Sequence, residues 1–407
     1  MQATLEIPPC GAFAADEVDP DDRLLAAPDA PADDALKEQL LRTALAELVA
    51  GREEAAADAL SRLVDRHLDL DARPADLIWH VFASALAKRL SREPPRINLY
   101  LRRFDLSQIA LFNLLTEHLP IVSLAGSLAN EVLAALVTPG QPLALLDIGV
   151  GTGRQEVALI RRLAAERRLP SVLHMIAVEP SHASLCEAER AIGAAAAEAR
   201  LDLVFTPVPR LVEQFEERDW TLLREAAQGA PLVVNAAFAV HHVLGVDGSD
   251  PVAAREALMC SLAALEPAGV VLCEPHSDHQ EPDLARRFDW CLWHYGRVFR
   301  LIDRLDVGER DRAAMKLFFA REVEDVLANA EETRCERHEP SERWLARLEA
   351  AGLQPAEGFD AVTAEGDRGV AVQQRRGLAG ICVDGDLLVA VLCAGTRAPQ
   401  LVLSPVL

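Results

Sequence analysis

A chain of 407 residues, half of them apolar, can bury a large core in one large or two ordinary domains. Its formal net charge of −22 opposes approach to nucleic acid or to an anionic membrane surface, so neither is expected as a partner. No apolar run approaches about 18 residues and no basic-plus-apolar leader is visible, while eight scattered cysteines form no CxxC pair; these features lead to the expectation of a cytoplasmic protein with reduced thiols.

Residues 1–35 hold nine acids against one arginine, with several prolines, and read as a disordered acidic tail. From 36 to 90, the segments QLLRTALAELVAG, EEAAADALSRLVDRHL and DLIWHVFASALAKRL repeat apolar residues at intervals of three and four, which predicts three amphipathic helices. A further helical stretch over 105–137 ends at Pro139-Gly140-Gln141-Pro142. Residues 36–140 are therefore read as an N-terminal helical cap. Apolar strand candidates follow at 143–148, 173–179, 202–206, 231–235 and 269–274, separated by helical patterns, which predicts right-handed crossovers and a mostly parallel, doubly wound α/β sheet. A long helical segment begins near 280, and the part to about 340 is read as an insertion that completes the cap over the strand ends. Near the C-terminus, LAGICV and LLVAVLC flank Asp384-Gly385-Asp386, a hairpin that supplies an antiparallel closing strand. Residues 141–407 thus form the core, with the cap insertion inside it.

The densest chemical signal is LALLDIGVGTGRQ, residues 143–155. An apolar strand ends in Asp147, and Gly149, Gly151 and Gly153 let the backbone turn tightly against a ligand. About one strand-helix-strand unit later, Glu179 closes the run LHMIAVEP, where an acid suits a ribose's hydroxyls. Two cofactor classes use this layout. NAD sites usually carry GxGxxG, whereas the Asp and GxGxG spacing of DIGVGTGRQ resemble the first motif of Rossmann-like S-adenosylmethionine (SAM) methyltransferases. The bland alternatives are a helix N-cap for Asp147 and an ordinary tight turn for the glycines.

Several blocks, in order, resemble the GRAS family, whose fold is a Rossmann-type methyltransferase core under a helical cap. Residues 39–90 are similar to its leading helices, SLANEVLAAL (127–136) to its second helical block, and LLDIGVGTGRQEVALIRRLA (145–164) to its VHIID block, including Gln155. VVNAAFAVHHVLG (233–245), VVLCEPHSDHQ (270–280), ARRFDWCLWHYGRVF (285–299), REVEDVLANAEETRCERHE (321–339) and WLARLEAAG (344–352) follow in the family's order. The chain departs from plant members at Glu156, usually Trp, and in CAGTR (393–397), where the tryptophans of the terminal region are missing. With Glu179 and the glycine loop intact, the resemblance implies a bacterial-type member: a SAM-dependent methyltransferase acting on a small-molecule acceptor. The rival class is a GRAS-type regulatory or interaction protein that binds SAM or another small ligand without turnover.

On that reading Asp147 orients the methionyl ammonium, Gly149, Gly151, Gly153 and Gln155 shape the loop, Glu179 accepts from the ribose, and Asn235 lies beside the transferable methyl. His241 and His242, after the fourth strand, are candidate general bases, set against the alternative of packed helix histidines. Glu274, His276, Asp278 and His279 follow the fifth strand; Glu274, His279 and Tyr295 are the candidate substrate contacts. A polar network against the cap is favoured there over a metal ion, and no metal site is expected. Phe288, Trp290 and Trp293 read as core, and Arg337 to Glu339 as inter-helix ion pairs. Composition leaves the oligomeric state open, a homodimer included.

Overall fold

The computed structural model describes residues 32–91, 108–246, 250–359, 364–365 and 369–403, so the expected acidic tail lies almost wholly outside the described residues. Five parallel strands, β1 (Leu143–Ile148), β2 (Val172–Val178), β3 (Asp202–Val208), β4 (Leu232–Ala237) and β5 (Gly269–Pro275), alternate with α6 (Arg154–Ala165), α7 (His182–Ala199), α8 (Glu217–Ala226) and α9 (Pro251–Ala263). Beyond them lie β6 (Gln354–Pro355), β7 (Ala364–Glu365), β8 (Val370–Arg375), β9 (Leu378–Val383) and β10 (Asp386–Gly395). The sheet order is β3-β2-β1-β4-β5-β10-β9-β8-β7, with β10 antiparallel to both β5 and β9. This is the predicted doubly wound, methyltransferase-like core, and its strand order reverses between β1 and β4, where ligands bind in open sheets.

Period-two alternation sorts each strand between two cores. Leu143 and Leu145 of β1 pack into one apolar cluster, and Ala144, Leu146 and Ile148 into the other. The first is continuous with the cap, made of α1 (Ala32–Val49), α2 (Glu53–His67), α3 (Leu77–Ser91), α4 (Gln108–His118), α5 (Pro120–Leu136), α10 (Leu284–Asp303) and α11 (Glu309–Ala328). Helices α1, α2 and α3 pack on one another, α3 packs on α10 and α11, and α5 lies across β4, β5, β9 and β10. Among the described residues, no single helix is long and apolar enough to cross a membrane.

Two expectations need correction. The helical stretch over 105–137 is two helices bent by 84°, because Pro120 at the head of α5 forces Leu119 into extended backbone (φ −91°, ψ 111°). The helical segment after 280 is also not continuous. Residues 331–340 carry no helix, and the next helix, α12 (Ser341–Ala350), packs on the opposite sheet face against β10 and α9, with Trp344 and Leu348 in the second core.

The cap's grip on itself is testable at Phe82. Its ring is fully buried edge-on to Phe288, with centroids 5.5 Å apart and planes at 85°. Phe82→Ala is expected to cost about 3–5 kcal/mol in urea unfolding, the range for a core aromatic that leaves a cavity. A loss below about 1 kcal/mol would show instead that α3 is loosely attached.

Candidate cofactor site

Where β1 and β4 diverge, a cavity of about 420 Å³ opens between the glycine loop, the end of β2 and helices α4 and α5. Asp147, Gly149, Gly151, Gln155, Glu179 and His242 line it. Gly149 has φ +85° and a Cβ there would fall 2.8 Å from the Ala239 Cβ, so only glycine fits. Gly153, at φ +76°, stands at the head of α6 where a Cβ would press on Ile192 and the Ala188 backbone at 3.0–3.1 Å. Its service is close helix packing; it does not line the cavity.

Register explains the polar floor. Asp147 pairs with Asn235 across β1 and β4, and both project to the same face as Leu145 and Val233. The Asn235 Nδ2 donates to Asp147 Oδ2 at 2.7 Å, and the Gln155 Nε2 donates to Asn235 Oδ1 at 3.4 Å. Asn235 therefore lies beneath Asp147, outside the cavity wall, which corrects its expected place beside a transferable methyl. Glu179 takes Gly151 N–H at 3.2 Å on one oxygen and Ser181 N–H at 2.8 Å on the other, leaving lone pairs toward the cavity.

Glu156, on the first turn of α6, was not singled out as a site residue, although its sequence signal was present as an acid directly after the loop. It lines the cavity, is buried, and is hydrogen-bonded to Asp147. Burial pushes its carboxyl well above the ordinary range, and the charge of Asp147 pushes further. Burial also raises Asp147, while hydrogen bonds from Glu156 and Asn235 pull it back. Glu156 thus keeps a proton that it donates to Asp147, and the pair carries one negative charge.

The remaining predicted residues separate into two groups. His242 is in the cavity wall; burial and the charge of His241 hold it well below the ordinary imidazole range, so it is neutral and a weak base. His241 faces away. Its Nδ1 donates to Glu274 Oε2 at 2.5 Å and its Nε2 lies 3.5 Å from Glu336 Oε2. Burial alone would lower its pKa, but those two carboxylates raise it to about 10, so at neutral pH it already holds its proton and is not a base. Glu274 is also not a substrate contact: its Oε1 accepts Ala239 N–H at 3.2 Å and Val240 N–H at 2.8 Å, clamping the turn after β4. His279 is fully buried and stacked between Tyr295 and His338, with centroids at 5.5 and 4.5 Å. Tyr295, likewise buried, donates to Glu322 Oε2 at 2.8 Å. None of the three lines the large cavity. His276 Nδ1 accepts the Ser341 backbone N–H at 3.1 Å and stands 2.9 Å from the Ser341 hydroxyl, and Asp278 takes Arg343 bidentately at 2.9–3.0 Å. Phe238, a wall residue with φ +55°, is held in the left-handed region where the chain leaves β4, and its ring meets Phe112 at 5.7 Å.

The carboxyl pair sets a pH signature. A raised pKa means that the folded chain keeps a proton that the unfolded chain releases above the ordinary carboxylate range near about 4.3. The pair's contribution is therefore most favourable at low pH and falls as pH rises through the raised value. Glu156→Gln keeps a donor to Asp147 without the proton requirement, so the variant is expected to gain stability relative to the parent as pH rises from 5 to 8. Parallel stability curves for the two proteins would refute the pairing.

The model of the GRAS domain family matches residues 36–379. The DELLA protein RGL3 of Arabidopsis thaliana is 26% identical over 316 residues, covering 75% of this chain and 57% of its own length. Protein SLENDER RICE1-LIKE 1 of Oryza sativa subsp. japonica is 28% identical over 316 residues, with coverage of 75% and 62%. The chain thus spans less than two thirds of these curated relatives. The crystal structure of SCL7 from Oryza sativa is similar at a TM-score of 0.71 and 19% identity, covering 91% of this chain and 100% of that one. With a family model matched over most of its length and the same fold in a solved relative, this chain belongs to the GRAS domain family.

Proposed function

We propose that the large cavity binds SAM and that the protein transfers its methyl group to a small-molecule acceptor under the cap. The observation that carries this reading is the meeting of the Asp147–Glu156 pair, the glycine loop and Glu179 in one cavity at the reversal of strand order. The residues fit the cofactor. A volume of about 420 Å³ is within the range of ligand pockets, and Glu156 Oε2 is buried without a hydrogen-bond partner. The carboxyl pair is a counter-charge for the methionyl ammonium, and Glu179 keeps acceptor sites for ribose hydroxyls.

Bound SAM supplies an electrophilic methyl on a sulfonium. What this chain contributes is then mainly position and dryness: α4 and α5 cover the cavity, and the loop is held by its own backbone bonds. His242 is a hydrogen-bond acceptor for an acceptor's hydroxyl or amine, not a strong base. The bacterial-type assignment rests on Glu156, Glu179 and the intact loop, since the relatives reported above are plant proteins. One observation favours the second reading, a ligand-binding regulator without turnover: His242 is the one histidine among the described residues that lines the large cavity, and it is a weak base.

Calorimetric titration with SAM tests the site. Asp147→Ala and Glu179→Ala are each expected to weaken binding by roughly 10- to 150-fold, equal to about 1.5–3 kcal/mol for a hydrogen bond to a charged group. Binding should also release up to about one proton as the ammonium displaces it from the carboxyl pair, and Glu156→Gln should abolish that release. Unchanged affinity in both alanine variants would sink the site. Accumulation of S-adenosylhomocysteine with an acceptor separates the enzyme from the regulator.

A further inference from the structure

A second polar centre lies behind the turn that follows β4. His241 comes from that turn, while Glu336 and His338 come from the extended segment before α12. The Glu336 Oε2 is 3.5 Å from His241 Nε2 and 3.7 Å from His338 Nε2, and one ligand atom from each of the three residues lies within 4.8 Å of the others. All three side chains are buried, at 3%, 0% and 1% exposure. Glu336 Oε1 stands 3.3 Å from His242 Nδ1, while neither ring nitrogen of His338 has a hydrogen-bond partner. Unsatisfied groups at such depth are costly, and a ligand that bridges them removes the cost.

The surroundings hold these atoms in place. Glu274 accepts from His241 Nδ1 at 2.5 Å, which orients the ring and turns Nε2 toward Glu336. A carboxylate behind the far nitrogen is the usual support of a metal-bound imidazole. Asp325 Oδ2 takes the backbone N–H groups of Cys335 and Glu336 at 2.5 and 2.7 Å, and the His338 carbonyl accepts His279 N–H at 3.0 Å. The Arg255 guanidinium, close by, is occupied by Glu339 and by the His241 carbonyl, each at 2.6 Å. A small cavity of about 30 Å³ touches His241, His338 and Glu322, room for about one water.

We propose that His241, Glu336 and His338 bind one divalent transition-metal ion of the zinc class, with a water in the small cavity as its fourth ligand. Two imidazoles and one carboxylate, without a thiolate, suit Zn²⁺ or Co²⁺ and lack the oxygen shell that Mg²⁺ and Ca²⁺ require. Tetrahedral ligands at about 2.0–2.1 Å from such an ion stand about 3.3–3.4 Å apart, so the 3.5 and 3.7 Å edges close by a few tenths of an ångström. Glu322, on the same cavity wall, is an acceptor for the bound water.

The test uses the full chain, treated with chelator and titrated with Co²⁺ in the absence of SAM, so that its outcome is separate from that of the cofactor site. About one Co²⁺ per chain is expected, with the visible absorption of a four-coordinate ion, displaced by Zn²⁺ and not by Mg²⁺. Glu336→Gln and His338→Ala should each weaken Co²⁺ binding by roughly 10-fold or more, with circular dichroism reporting that the fold persists. Should either variant not fold, the rise in the parent's thermal midpoint with Zn²⁺ stands in its place. A folded parent that takes up no Co²⁺ would overturn the proposal and leave a proton on His241 as the bridge between the carboxylates. Uptake unchanged in both folded variants would overturn it equally.

Discussion

Helix α5 lies across one face of the sheet, and the character of the large cavity depends on it. Its apolar face packs on β4, β5, β9 and β10, and its polar residues reach α6: Asn130 Nδ2 donates to the Gln155 carbonyl at 3.1 Å, and Glu131 pairs with Arg162. Close approach is possible because β5 opens with Gly269, where a Cβ would fall 2.5 Å from Leu136 Cδ1. With α5 seated, Asp147 and Glu156 are removed from water at the end of β1. Neither carboxyl then finds a cation among the described residues, and the least costly state is one proton shared between two acids. An exposed pair at the same spacing would simply ionise. Burial by one helix thus converts two acids into a counter-charge suited to a cationic ligand.

Charge is handled differently on the far side of the turn after β4. Arg255 and Arg347 flank Glu339, and Arg334 and Arg337 bind Glu331. Burial would raise the Glu331 carboxyl, but the hydrogen bonds and charges of those two arginines bring it to about 2. The buried pairs of Glu339 are weak evidence for net stability, since desolvation cancels much of the attraction. Their value is geometric. They fix the path of residues 331–340, which have no helix or sheet ladder of their own to do so.

Much of this was legible in the sequence because it is periodic or local. Alternation and apolar runs placed the five parallel strands within a few residues, and the spacing of Gly149, Gly151 and Gly153 after Asp147 marked the loop. Glu179 was legible too, from its place at a strand end. What escaped is non-local. Whether Asn235 faces a ligand or an aspartate is decided by the β1–β4 register and by what lies above it. His241 and His242 are neighbours in sequence, yet one lines the large cavity and the other the inner cluster, because a single turn of tight helix sends them to different sides. The pairing of His241 with Glu336 and His338 joins segments about a hundred residues apart in the chain, and no spacing rule reports it. Arg337 to Glu339 were read as inter-helix ion pairs, which describes Glu339 with Arg255 and Arg347 but not His338.

The two centres share a wall four residues thick. Residues 239–242 are clamped from one side by Glu274, which binds two of their backbone N–H groups, and from the other by the loop, where Ala239 stands against Gly149. Phe238, strained at φ +55°, borders both cavities. Strain of that kind persists only where the surroundings over-determine it, and here they do, through β5 and α4. Because these bonds are internal, the wall is in place before any ligand arrives. A ligand entering the large cavity therefore has little backbone left to order, and more of its contact energy appears as affinity.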